Sequence, residues 1–109
     1  MAVHVNHIAS GILKDFRRFL SAYTIKLYED PLLRVLKMEN ELSDDECEQI
    51  VNWPTSSERM MTLIDIIAPR LKTRVFEKFL DCVQDIMHLP ELHEAMRQEY
   101  AYRWAPASV

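Results

Sequence analysis

The stretch SDDECEQIVNWPTSSERMMTLIDII, residues 43–67, decides the fold. Ser43 followed three residues later by Glu46 is a capping box, in which a serine hydroxyl and a glutamate satisfy each other's orphan N–H groups at a helix start. The short helix it opens turns Cys47, Ile50 and Val51 inward, and Trp53-Pro54 ends it, because the residue before a proline is driven out of the α region. Thr55-Ser56-Ser57-Glu58 repeats the capping pattern at once. The next helix places Met60, Leu63, Ile64 and Ile67 at i, i+3, i+4 and i+7, one apolar stripe, and Pro69 stops it. Two helix starts twelve residues apart, each cap worth about 1 kcal/mol, specify short helices with tight joints.

The flanking sequence repeats that punctuation. A first helix is expected from about Ser10 to Leu27, with Ile12, Phe16, Phe19, Leu20 and Tyr23 on one stripe and Lys14, Arg17 and Arg18 on the other side. A second starts at Asp30-Pro31, an acid at the N-cap and a proline at the first helical position, and fades near Asn40. A fifth covers roughly Thr73 to Met87, with Phe76, Phe79, Leu80, Val83 and Met87 on one face. A sixth begins at Pro90. One glycine among 109 residues is a poor supply for the tight turns of sheets. With 49% hydrophobic and 28% charged residues, the chain reads as one soluble all-α domain. Residues 1–9 and 101–109 read as tails around a six-helix unit at 10–100.

Several function classes receive no support. A net charge of −4 disfavours general binding to phosphate backbones. There is no Gly-rich phosphate loop, HExxH, CxxC or nucleophile elbow, so an enzyme is not expected. Cys47 and Cys82 lie on apolar stripes and read as reduced, buried thiols of a cytoplasmic protein. No apolar run approaches the ~20 residues that span a bilayer. His4 and His7, or an amino-terminal Ala2-Val3-His4 after loss of Met1, are outweighed as metal sites by a frayed tail. Neither a metal nor another cofactor is expected. Trp53 reads as a plug at the core edge between two helices, with an exposed interface anchor as the other possibility.

The order of the pieces resembles the caspase recruitment domain of the death-fold superfamily. The resemblance rests on Pro54-Thr55-Ser56-Ser57-Glu58-Arg59, Leu63-Ile64-Asp65-Ile66-Ile67, Val75-Phe76-Glu77-Lys78-Phe79-Leu80 and the third-helix entry Leu42-Ser43-x-x-Glu46-x-x-x-Ile50, and it covers about residues 10–100. Pro69-Arg70-Leu71-Lys72 departs from the glycine that many relatives carry between helices four and five. The resemblance implies a six-helix antiparallel bundle of death-fold (Greek-key) type. It also implies a non-enzymatic adaptor that binds another caspase recruitment domain, or itself, in apoptotic or innate-immune and NF-κB signalling. In that family a basic surface from helices one and four meets an acidic one from helices two and three.

The sequence contains both signs. Seven carboxylates fall in the 21 residues from Met38 to Glu58, with no lysine or arginine among them. Asp44, Asp45 and Glu46 answer a helix dipole, whereas Glu39, Glu41 and Glu48 do not lie in that first turn. Glu39, Glu41, Asp44, Asp45 and Glu48 are therefore the candidate acidic face. Lys14, Arg17, Arg18, Arg59, Arg70 and Lys72 are the candidate basic face. Opposite charges on two faces of one molecule give a heterologous contact that need not close, so homo-oligomers or filaments follow. The alternative is a helical nucleic-acid-binding or transcription-regulatory domain using helix one or residues 70–78. The absence of a glycine turn between paired helices counts against it.

Overall fold

The computed structural model describes residues 4–21, 23 and 30–104. Six α-helices and one 3₁₀ turn account for the regular structure, and no strand occurs among the described residues. In chain order they are α1 (His7–Leu20), α2 (Pro31–Met38), α3 (Asp44–Val51), α4 (Ser56–Ile67), the 3₁₀ turn Ala68–Arg70, α5 (Thr73–Asp85) and α6 (Pro90–Trp104). α1 packs against α4, α6 and the 3₁₀ turn, α3 against α4, and α5 against both α6 and α2.

The punctuation of residues 43–67 is present. Ser43 accepts from the Glu46 N–H while the Glu46 carboxylate accepts from the Ser43 N–H, at 3.1 and 3.0 Å. The second box is half of what the letters predict. Thr55 Oγ1 accepts from the Glu58 N–H at 3.1 Å, but the glutamate carboxylate takes the threonine hydroxyl at 2.8 Å rather than the backbone N–H of residue 55. Asp30 caps α2 by accepting from the Leu32 N–H, and the Tyr23 hydroxyl donates to the same carboxylate. Two turns that glycine would suit are made without it: Asn40 and His88 sit at φ 59° and 57°.

The core is a single cluster. Met60, Leu63, Ile64 and Ile67 of α4 are fully buried, as are Phe76, Phe79 and Val83 of α5. Cys47 and Cys82 are buried free thiols. Removing either phenylalanine ring would cost about 3–5 kcal/mol, a large part of the roughly 5–15 kcal/mol that holds a domain together.

The N-terminus departs from the expected tail. α1 starts at His7, three residues before the expected Ser10, because Asn6 caps it and is itself buried. Its Oδ1 accepts from the Ala9 N–H at 3.0 Å, and its Nδ2 donates to Thr73 Oγ1 at 2.9 Å and to the Tyr100 hydroxyl at 2.8 Å. Its backbone N–H reaches the Leu71 carbonyl at 2.7 Å. α1 ends at Leu20, and most of the expected extension to Leu27 lies outside the described residues. At the other end α6 runs on to Trp104. Tyr100 packs on Phe76 with centroids 4.9 Å apart, and Arg103 binds Asp15 and Glu99. α6 therefore carries specific contacts to α1 and α5 through its last turn.

Candidate protein-interaction surface

The α2–α3 turn begins with the left-handed Asn40, after which the Glu41 and Leu42 N–H groups both turn back to the Leu36 carbonyl. That reversal drops Glu41 into the protein, where its side chain is only 2% exposed. Arg70 Nε lies 3.5 Å from one carboxylate oxygen and Lys72 Nζ 3.8 Å from the other. The first oxygen has no hydrogen-bond partner among the described residues. Burial raises the Glu41 pKa, Lys72 and Arg70 oppose the rise, and Glu46 adds to it. Arg70 also donates to the Glu41 carbonyl and, at 2.8 Å, to Glu46. Glu46 is shifted the other way: the Arg70 hydrogen bond holds its carboxyl below the ordinary range.

Glu39 and Asp44 are also answered from within. Arg74 lies 2.9 Å from Glu39, whose side chain is 16% exposed, and Lys37 lies 2.7 Å from Asp44. Of the five expected acidic-face residues, Glu41 is therefore interior and Glu39 and Asp44 are ion-paired. Asp45 and Glu48 are exposed, with no ion pair among the described residues. Arg70 and Lys72 stand in the acidic cluster as its counter-charges. Sequence separation hid this, since Arg70 lies 24 residues beyond Glu46 in the chain.

Three of the four remaining basic-face residues gather on α1. Lys14, Arg17 and Arg18 line a cleft of about 400 Å³ together with Asp15, Phe19 and Met61. Arg17 is held by Asp65 of α4 at 2.7 Å. Lys14 and Arg18 are exposed and carry no ion pair among the described residues. Arg59, at the start of α4, donates to the Trp53 carbonyl at 2.7 Å.

Phe19 was expected on the core stripe, yet it is 59% exposed. Ile12 and Leu20 are buried and Phe16 and Tyr23 pack against the core as expected, and Ala9 and Leu13 join them, which centres the buried face away from Phe19. The ring leans on Phe16, 6.1 Å between centroids, and borders a second, more apolar cleft of about 510 Å³ formed with Leu89, Pro90 and Leu92. Trp53 is likewise 44% exposed rather than a core plug.

A further set of acids was not singled out from the sequence. Glu77, Asp81 and Asp85 recur every four residues along α5, all exposed, and that spacing was the available signal. No group of three metal-ligating side chains occurs among the described residues, and His4 and His7 are exposed. No described helix is long and apolar enough to cross a membrane. No protein-family model, curated protein or solved structure matches the chain.

Proposed function

We propose that this chain is a protein-recruitment module of the caspase-recruitment-domain type, which docks another such domain through charge and an exposed aromatic. The observation that carries this is the α1 patch. Two cations with no ion pair among the described residues, Lys14 and Arg18, stand one turn apart beside a 59% exposed phenylalanine that borders two clefts. Interfaces are anchored by aromatic rings in pockets and steered by complementary charge. Asp45 and Glu48 along α3, with exposed Trp53 beyond its C-terminal end, are the corresponding surface for a basic partner. The cellular setting, apoptotic or innate-immune signalling in the cytoplasm, rests on the sequence resemblance.

The nucleic-acid alternative is weaker than composition alone suggests. Arg70, Lys72 and Arg74 of the 70–78 segment face carboxylates of the same molecule. Phosphate contacts would have to displace those pairs.

The test is binding of the purified chain to immobilised caspase recruitment domains across a salt series. Wild-type binding is expected to weaken as salt rises, because exposed pairs are screened over ~8–10 Å at physiological ionic strength. The double reversal Lys14→Glu with Arg18→Glu is expected to abolish it. Binding that ignores both salt and the reversal, or no binding to any such domain, overturns the proposal.

A further inference from the structure

We propose that a second copy of this chain seats its α1 patch in the groove between α2 and α5, with Phe19 in the cleft and Lys14 and Arg18 against the α5 carboxylates. This rests on the recruitment reading above and names the acceptor surface for self-association.

The groove holds about 300 Å³, with Val35, Met38, Cys82 and Ile86 as its apolar lining and Glu39, Lys78, Asp81 and Asp85 around them. Met38 is 81% exposed, and Val35 and Ile86 are half-buried, so an apolar strip faces solvent between two helices. It has room for an aromatic ring. The expected acidic face has fewer free charges to offer, because Glu39, Glu41 and Asp44 are already met by Arg74, Arg70, Lys72 and Lys37.

The α5 carboxylates are not met. Glu77, Asp81 and Asp85 have no ion pair among the described residues. Like charges at i, i+4 repel by about 0.2–0.5 kcal/mol per pair, so this ladder works against α5 in the isolated chain. Lys78 on the rim offsets one charge and leaves an acidic excess.

Donor and acceptor match in pitch. Lys14 and Arg18 are four residues apart on α1, and Asp81 and Asp85 are four apart on α5. Each separation is about 6 Å along a helix axis. The aromatic follows Arg18 directly, while the apolar strip adjoins Asp81 and Asp85. Two helices laid side by side would then form both ion pairs while the ring enters the cleft. Because donor and acceptor patches differ, the contact is heterologous.

The test is light scattering and sedimentation velocity on the full chain, with circular dichroism to verify folding. Arg18→Glu and the double variant Asp81→Lys with Asp85→Lys are each expected to raise the self-dissociation constant roughly tenfold or more, as for close interfacial charge pairs. Mixing them is expected to restore a heterotypic complex. Phe19→Ser, at an exposed position, is expected to weaken association equally. If the α3 double variant Asp45→Lys with Glu48→Lys abolishes association and the α5 one does not, the groove is wrong while recruitment stands. A chain that stays monomeric yet binds caspase recruitment domains also overturns the groove alone. Self-association indifferent to Arg18→Glu overturns the groove, and indifference of partner binding to the Lys14 and Arg18 reversal sinks the recruitment reading itself.

Discussion

Replacing Asn6 by alanine tests whether the N-terminal residues are part of the fold. One side chain caps α1 and bridges to α5 and α6. The lost cap is worth about 1 kcal/mol. Each of the two Nδ2 hydrogen bonds contributes about 1 kcal/mol net, less for Thr73, whose exposed hydroxyl can return to water. Asn6→Ala is therefore expected to cost about 2–3 kcal/mol. Asn6→Ser keeps an oxygen at the cap and removes only the bridge, so it should cost about 1–2 kcal/mol. Equilibrium urea unfolding followed by tryptophan fluorescence reads both. With a slope of about 1–3 kcal/mol per molar, the alanine midpoint should fall by roughly 0.7–3 M. A loss below about 1 kcal/mol for alanine, or equal losses for the two variants, would refute the claim that Asn6 ties three helices together.

Glu41 and Glu46 should respond to pH with opposite sign. Folding raises the Glu41 pKa, so its favourable contribution is fully present below the ordinary glutamate value of about 4.3 and is lost as pH rises through the raised value. Glu41→Gln is therefore expected to gain on wild type as pH rises above ~4.3, whereas Glu46→Gln, whose pKa is lowered in the fold, is expected to lose ground as pH rises toward ~4.3 and to keep that deficit above it. Urea midpoints at several pH values decide it, and parallel curves for the two variants contradict the assignment. Gly11→Ala should stabilise α1 by about 0.5–1 kcal/mol. The nearest atom to the added Cβ is the end of the flexible Arg103 side chain at 3.4 Å, and a lowered melting temperature would show that it cannot give way. Both thiols should resist a disulfide reagent in the native protein, since burial pushes Cys82 up to about 11 and also raises Cys47. Rapid labelling before unfolding would contradict their burial.

Helix starts were legible because they are written in local chemistry: Asp30-Pro31, Ser43 with Glu46 and Thr55 all cap as read. So were the stripes of α4 and α5, whose predicted inward residues are all buried. Along the α1 stripe, Ile12 and Leu20 are buried and Phe16 and Tyr23 pack against the core as predicted, while Phe19 at its edge faces solvent. Periodicity locates a face but does not say where its edge meets water. Asn6 was missed because its partners, Thr73 and Tyr100, lie 67 and 94 residues away. The charge map failed for the same reason. Runs along a chain show where carboxylates are dense, but Arg70, Lys72 and Arg74 reach them only through the fold. The α5 acids, which have no ion pair among the described residues, are spread thinly in sequence and dense only on a helix surface.

The ion pairs that quieten the α2–α3 turn also give α3 a direction of fraying. α3 has eight residues, too few to be helical by itself in water. Its N-terminal end is fastened twice, by the Ser43–Glu46 box and by Arg70 gripping Glu46. Its far end runs into exposed Asn52 and Trp53 with no basic residue in the last turn. The side-chain tie there, among the described residues, is the Arg59 bond to the Trp53 carbonyl, so local opening is expected to begin at Asn52 and to stop at the Arg70 clamp. Amide exchange along α3 would run as a gradient, fastest at Asn52. Added salt is expected to loosen the clamp side, so that ionic strength sets the breathing of this short helix.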